Sequence, residues 1–298
     1  MSFVVNTPNG NIGRPLVQRL LHAGKRVTLI SRKAEKVADL VKAGARVVEG
    51  SMEDRAVLDA AFQGATALFW LNPPPSRPDY VSWSEGVARE AARAAKAHGI
   101  GRVVVLSSVG AQNGPGLGPV SSLLPVEKAF EAELPNVYAL RAGFFMENLL
   151  HDVTAIARSG SLFTLMPPDQ KFPMVAVADI AAKAAEVLLD ATWTGHRQGG
   201  AQGPVHLSFP EAADILAEAL GRPVKYVRIP ADGMRQGLLG AGAPAWLAEA
   251  MVELYVGAGE GRLDAAEPRS KDTTTPTPLA QFARTVLLPA VEKVARAA

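Results

Sequence analysis

Cysteine is absent from the chain. That gap removes disulfides, thiolate nucleophiles and cysteine-ligated zinc, and it leaves the redox compartment undetermined. Charge of one sign is also scarce in excess: 31 lysines and arginines face 29 acids, a net of +2. The small surplus is spread along the chain, so no field for nucleic acid or an anionic membrane is implied. No apolar run reaches about 18 residues, so no membrane span is expected. The opening lacks a basic stretch followed by a long apolar one, so no secretory leader is read and cytoplasm is the default location. The five histidines include no His-x-x-x-His spacing, and no metal is expected. No glycine-rich turn ends in Gly-Lys-Ser/Thr, which argues against ATP hydrolysis.

What is present begins at once. Phe3-Val4-Val5 is a short apolar run, and Thr7-Pro8-Asn9-Gly10-Asn11-Ile12-Gly13 is a turn-rich cluster. Leu16, Val17, Leu20 and Leu21 then repeat at helical spacing. Strand, turn and helix in that order place unpaired backbone N–H groups and the positive end of a helix dipole at the turn, a ready site for phosphate. Two glycines three apart are a weak motif alone, and a purely structural turn is the alternative. A fuller dinucleotide fingerprint carries one more glycine, and Thr7 stands where it would be. Pro8 is expected to push Thr7 toward extended geometry.

The first half alternates strand-like and helix-like segments. Strands are predicted at Val27–Ile30, Ala45–Glu49, Ala67–Leu71, Arg102–Leu106 and Val137–Arg141, with helices at Ala34–Ala43, Glu53–Phe62, Ser82–His98 and Pro125–Leu134. Continuous apolar strands separated by helices indicate an α/β fold with a doubly wound parallel sheet covered on both faces. The second half is less regular. Phe172–Val177 reads as extended, Asp179 as the cap of a helix to Leu189, 192–204 as a glycine-rich loop, and Pro210–Leu220 and Pro244–Val256 as helices. Val224–Val227 reads as another strand, and 257–278 as an extended or mobile segment before a final helix. The expected division is a nucleotide-binding domain over 1–150 and a smaller, partly helical C-terminal substrate lobe over 151–298, with Val175–Leu189 returning to the core of the first.

Six segments together carry a family resemblance: Asn9–Gly13, Ser31-Arg32, Gly50–Asp54, Val105–Gly110, Leu140–Asn148 and Val175–Ala181. In order and spacing the chain resembles the NmrA-like group of atypical short-chain dehydrogenases/reductases, which includes quinone reductases and iminium-reducing enzymes. The resemblance implies a Rossmann-like domain and an NAD(P) cofactor. It places Thr7, Asn9, Gly10, Asn11, Ile12 and Gly13 at the phosphates, Ser51 and Met52 beside the adenine, and Leu71, Asn72 and Pro73 near pyrophosphate and ribose. Ser107 and Ser108 would face the nicotinamide, and Gly143 and Phe144 would lie beside its carboxamide. At the end of the second strand, Ser31-Arg32 offers a guanidinium and no acid. An acid there selects NAD, whereas arginine pairs with the 2′-phosphate, so NADPH/NADP is favoured over NAD. A solvated arginine is the plain alternative.

The usual catalytic pair of such enzymes is Tyr-x-x-x-Lys, in which tyrosine protonates the carbonyl oxygen. Lys128 has a plausible position, but four residues earlier stands Leu124. Ketone reduction needs a donor for the developing alkoxide. A preformed iminium carbon does not, and a quinone yields a delocalised anion that water can protonate. The expected catalytic set is therefore Lys128, Ser107 and Ser108, with Lys128 holding the cofactor ribose, and the expected reaction is hydride transfer to a small electron-poor acceptor. An NADP(H)-binding sensor without turnover is the second reading. No nucleic-acid or membrane partner is expected, and the oligomeric state is open, with a homodimer among the options.

Overall fold

The computed structural model describes residues 1–296, so the last two positions of the expected 151–298 lobe lie outside the described residues. The chain runs β1 (Ser2–Asn6), α1 (Gly13–His22), β2 (Arg26–Ser31), α2 (Ala38–Lys42), β3 (Arg46–Glu49), α3 (Arg55–Phe62), β4 (Ala67–Leu71), α4 (Tyr80–Ala97), β5 (Arg102–Ser108), α5 (Leu123–Glu131) and β6 (Val137–Ala142). It continues through β7 (Phe144–Phe145), a 3₁₀ segment (Met146–Asp152), α6 (Val153–Ser159), β8 (Ser161–Thr164), β9 (Phe172–Val175), α7 (Val177–Leu189), β10 (His196–Ala201) and β11 (His206–Leu207). The remainder is α8 (Phe209–Leu220), β12 (Lys225–Arg228), α9 (Ala231–Gly240), α10 (Ala245–Gly259), α11 (Leu279–Phe282) and α12 (Leu288–Arg296).

Seven strands form one parallel sheet in the order β10-β6-β5-β4-β1-β2-β3. Its central strands are apolar on both faces because both are covered. On one face Leu16, Val17 and Leu20 of α1 and Ile180, Ala181 and Ala184 of α7 pack on Phe3, Val5 and Phe69. On the other, Leu58 and Phe62 of α3, the alanine face of α4 and Phe130 of α5 pack on Val4, Leu68, Trp70 and Val105. This is the doubly wound, Rossmann-like fold read from the strand pattern. The chain builds outward from β1 to β3, then returns to lay β4 on the other side of β1. That reversal opens a crevice at the carboxyl ends of β1 and β4, where ligands bind in such sheets.

A third cluster holds the lobe together. Met146, Leu149, Ile156, Met174, Phe209, Leu216, Phe282 and Leu287 are among its buried members. Ser208 and Glu211 start α8 with a reciprocal capping box.

Several expectations are corrected by the structure. The supposed loop 192–204 contains β10, a full strand parallel to β6. Its sequence, His-Arg-Gln-Gly-Gly-Ala, gives no apolar signal because the strand lies at the sheet edge, and Gly199 leaves the room that the Tyr138 hydroxyl fills. Asp179 does not cap α7. The helix starts at Val177, whose amide donates to both carboxylate oxygens of Glu147 at 3.1 and 3.0 Å. Asp179 instead accepts from the Thr277 amide and hydroxyl, each at 2.9 Å, and so ties down the segment before α11. The helix expected at Ala34–Ala43 is split into a 3₁₀ turn and α2, and β8 and α9 carry too little patterning to be anticipated.

Candidate functional site

The crevice is made by chain ends, so its geometry follows from where each strand stops. β1 ends in Asn6, fully buried. Its amide donates to the Leu71 carbonyl at 2.9 Å and accepts from the Leu71 N–H at 2.8 Å, while Nδ2 also lies 3.3 Å from the Met52 sulfur. One side chain thus fixes the exits of β1 and β4 and the turn after β3. In the sequence the only signal of Asn6 is an amide that closes an apolar run.

Thr7 follows with φ of 52°, the left-handed region, and is the one described non-glycine residue there. The extended geometry expected from Pro8 is therefore overturned. The chain must turn sharply enough for Gly10 N–H to donate to Thr7 O at 3.2 Å. The helix start also comes so close that a Cβ on Gly13 would collide with the Thr7 carbonyl oxygen. A β-branched residue with positive φ is strained. The Thr7 hydroxyl is buried without a partner. Among the described residues no acceptor is recorded for the amides of Asn11, Ile12 and Gly13, while Arg14 N–H donates to Gly10 O at 3.0 Å. Those three amides sit at the N-terminus of α1, where the helix dipole favours an anion.

The side of the crevice toward β2 carries two arginines, Arg14 and Arg32. The Arg14 guanidinium pairs with Asp39, holds that carboxyl below its ordinary range, and donates to Lys36 O at 2.8 Å. Arg32 is exposed and has no ion pair or hydrogen bond among the described residues. Ser31 Oγ turns back to Lys33 O at 2.9 Å, and Ser31 O accepts from Gly50 N–H at 2.9 Å, which sets β2 beside Ser51 and Met52. Ser51 Oγ accepts from the Glu53 amide at 3.2 Å. Across the crevice Asn72 Oδ1 accepts from the Trp70 indole at 3.2 Å, which leaves its buried Nδ2 without an acceptor. Pro73 follows, half-buried.

Free amides at a helix start, an unpaired guanidinium and two orphaned buried polar atoms, Thr7 Oγ1 and Asn72 Nδ2, fit a polyanionic dinucleotide. The amides of Asn11, Ile12 and Gly13 match a pyrophosphate, and Arg32 matches a phosphate on the ribose.

The ends of β5 and β6 are different. Ser107 is buried and donates to Glu127 at 2.5 Å. Ser107 stands opposite Arg141 in the β5–β6 register, and Arg141 reaches the same carboxylate at 3.1 and 2.7 Å. Side-chain exposures of 11% and 2% make this a closed, buried ion pair that bolts α5 to β6. Ser108 Oγ donates to the adjacent Val109 carbonyl at 2.9 Å. Gly143 N–H is taken by Ala201 O at 3.0 Å, and the Phe144 ring packs on Phe172 and Phe209. Lys128 is not brought to Ser107. It lies one residue round α5 from Glu127, exposed, with its ammonium 2.6 Å from Glu131. Together with Leu124, Tyr80 and Glu253 it lines a cleft of about 500 Å³ between α4, α5 and α10. An acid among apolar neighbours on a helix, and an arginine inside an apolar strand, were the readable signs of the Glu127–Arg141 pair.

A model of the NmrA-like family matches residues 3–282. The chain is 32% identical over 255 residues to an NAD(P)H azoreductase of Xenophilus azovorans, covering 83% of each chain. It is 28% identical over 279 residues to quinone oxidoreductase 2 of Escherichia coli strain K12, covering 92% of this chain and 94% of that one. Among solved structures it is similar to the NADPH complex of the NADPH-dependent quinone oxidoreductase QOR2 from Escherichia coli, with a TM-score of 0.82 and 25% identity over 94% of this chain and 98% of that one.

Proposed function

The chain belongs to the NmrA-like family, and we propose that it passes hydride from NADPH to a small electron-poor acceptor, a quinone or an iminium-type carbon. It is a reductase that uses NADP(H), as its azoreductase and quinone-oxidoreductase relatives indicate. The observation that supports the finer reading is Leu124: where the Tyr-x-x-x-Lys pattern of typical short-chain dehydrogenases would put a tyrosine acid, four residues before Lys128, an alkyl group stands in the wall of a cleft. A site without that acid suits acceptors whose reduced form is a stabilised anion or a neutral amine better than it suits ketones.

When bound, the cofactor supplies a hydride with its electron pair. This chain's residues do the rest. The α1 amides and Thr7 would hold the cofactor's phosphates, Arg32 would pair with the 2′-phosphate, and Asn6 keeps the Leu71–Asn72 exit fixed; the ends of β5 and β6 are where the family resemblance puts the nicotinamide. The Glu127–Arg141–Ser107 cluster makes those two ends rigid. Lys128, exposed and one residue off the buried face, is assigned the cleft rim.

The test is direct. Purified protein is titrated with NADPH and NADH by fluorescence quenching, and 340 nm absorbance is followed with a panel of quinones, iminium ions and ketones. Oxidation with the first two classes and none with ketones is the expected result. Tight NADPH binding with no oxidation by any acceptor would replace this reading with that of a cofactor sensor. A cytoplasmic location and homodimer assembly are carried forward with it, the latter checked by analytical sedimentation.

A further inference from the structure

Residues 262–274 belong to the connection from α10 to α11, and their contacts trace a path across the carboxyl edge of the sheet. Near the start, Arg262 and Leu263 press on Gly110, two residues beyond the end of β5. The Arg262 guanidinium donates to the carbonyls of Pro115 and Gly116 at 2.6 and 3.0 Å, and Asn113 Nδ2 donates to Arg262 O at 2.6 Å. Near the end, Gln202, the residue after β10, donates its N–H to Thr273 O and accepts from the Thr275 N–H, both at 2.8 Å. Arg269 donates to the Gly203 carbonyl beside it. β6 lies between β5 and β10 in the sheet. The segment is therefore a strap that runs from the exit of β5, past the end of β6, to the exit of β10.

We propose that this strap is the roof of the acceptor site and that Gln112 is the residue that positions it, a role that rests on the reductase reading and deepens it. Hydride passes between atoms about 3–3.5 Å apart. An acceptor stacked on a nicotinamide at the ends of β5 and β6 is therefore bounded by whatever crosses those ends, and the strap does. Gln112 joins it to the sheet. Gln112 Nε2 donates to Asp264 O at 3.1 Å, and its Oε1 accepts from Arg141 Nη1 at 3.4 Å. Arg141 is held in turn by Glu127, which also accepts from Ser107 at 2.5 Å. A hydrogen-bonded line thus runs from Ser107 on β5, through Glu127 and the arginine of β6, to the backbone of the strap. The other ties are of the same polar kind, with Gln170 Nε2 reaching Asp264 Oδ1 at 3.4 Å. Apolar anchorage is slight: Leu263 and Ala265 are half-buried, while Ala266 and Pro268 are exposed. At the β10 exit, Arg269 Nη2 and Gln202 Oε1 are buried without a partner, a donor and an acceptor that the protein leaves open.

Through this line the roof takes its height from the buried Glu127–Arg141 pair rather than from its own exposed chain. Loss of the Gln112 donor should loosen the strap near Asp264 and leave its far end, fixed by the Thr273 and Thr275 bonds, in place. An acceptor then meets a roof that averages over several positions. Its contacts weaken equally before and during hydride transfer, so affinity falls and the chemical step changes little. Cofactor binding is set at the α1 end of the crevice and should not respond.

Three variants test this. Gln112→Ala removes both bonds. Gln112→Glu keeps an acceptor for Arg141 and removes the donor to Asp264. Asn113→Ala cuts a separate tie to the strap without touching Arg141. For each, steady-state rates with NADPH and a neutral quinone, NADPH fluorescence titration, and hydrogen–deuterium exchange of the amides of 262–275 are measured. All three should raise the quinone KM by roughly 3- to 10-fold, the range that one lost hydrogen bond allows. The kcat should stay within about twofold of wild type, and the NADPH Kd should be unchanged. Exchange should quicken at 262–266 and stay as in wild type at 273–275. A Gln112→Glu protein with wild-type KM and exchange, beside a Gln112→Ala protein that loses both, overturns the proposal, because Gln112 would then serve Arg141 alone. Faster exchange at 262–266 with the quinone KM unchanged also overturns it, since the strap would move without bounding the acceptor. A loss of NADPH affinity as large as the rise in quinone KM overturns it too, by moving the effect to the cofactor. These three outcomes leave the reductase reading intact. Wild-type protein that binds NADPH but reduces no acceptor overturns both.

Discussion

The carboxyl edge of the sheet and the lobe above it treat polar groups in opposite ways. At the edge, donors are left open in one place and locked in the next. The α1 amides, Arg32, Thr7 Oγ1 and Asn72 Nδ2 have no hydrogen-bond partner among the described residues, while Ser107, Glu127 and Arg141 close on one another at the ends of β5 and β6. In the lobe the packing is apolar, and the half-buried Asp152 carboxyl has no ion pair or hydrogen bond among the described residues. The edge is therefore preorganised for an anionic, hydrogen-bonding ligand whatever the lobe holds, because its open donors are fixed by strand ends and by Asn6. Cofactor binding and acceptor choice should separate cleanly under mutation.

The largest effect should come from breaking the locked cluster. Arg141→Met leaves the Glu127 carboxylate buried without its partner, and removal of one member of a buried pair costs about 3–5 kcal/mol. Chemical denaturation should show that loss. Double replacement of Arg141 and Glu127 by apolar residues should recover most of it, since a buried pair contributes little net stability against hydrophobic isosteres. Failure of the double variant to recover would mean that Ser107, left with an unpaired hydroxyl, carries more of the cluster than the ion pair does.

The lobe's isolated carboxyl should give the next largest change, in the opposite direction. Burial pushes the folded Asp152 carboxyl up to about 6, above the ordinary carboxylate range. Its contribution to stability is fully present below the unfolded value and is lost as pH rises through about 6. Asp152→Asn should therefore be the more stable protein at pH 8, by about 2–3 kcal/mol, and equal to wild type near pH 4. A gain that did not depend on pH would show that the carboxyl is not what the lobe is burying.

Arg32→Ala tests the open side. Loss of a charge-assisted contact to phosphate is worth about 1.5–3 kcal/mol, so NADPH should weaken by about 10- to 100-fold and NADH hardly at all. Parallel fluorescence titrations of the two cofactors measure this. Equal loss for both would move the 2′-phosphate to another cation, with Arg14 next in line once freed from Asp39.

The same contrast explains what could be read before the fold was known. The parallel sheet was legible because its inner strands, such as Val103–Leu106, are apolar on both faces, and the turn at Gly10–Gly13 was legible because glycine there answers a backbone demand. The edge strand β10 was not, since its polar, glycine-bearing sequence makes sense only against Tyr138 on β6. Choosing Lys128 over Glu127 was a matter of one residue on a helix, about 100° of rotation. Which of two polar neighbours faces inward depends on the arginine that meets it from another strand. Asn6 was missed for the same reason, because its role comes from contacts that span the sequence.

Thr7 offers the smallest and sharpest change. It holds a left-handed φ of 52° at the place where a fuller fingerprint has glycine. A β-branched side chain there costs about 1–3 kcal/mol, while glycine costs about 0.5–1 kcal/mol of extra chain entropy in the unfolded state. Thr7→Gly should therefore stabilise the free protein by about 1 kcal/mol. It should also remove a hydroxyl that is buried without a partner. If that hydroxyl is kept for the cofactor, the gain in stability will come with weaker NADPH and NADH binding, by several-fold and equally for both, because the pyrophosphate is common to the two. Thr7→Ser separates the contributions, retaining the hydroxyl while easing the β-branch. Stabilisation by glycine with binding unchanged would mean that the α1 amides suffice, and that Thr7 is strain the turn tolerates without using.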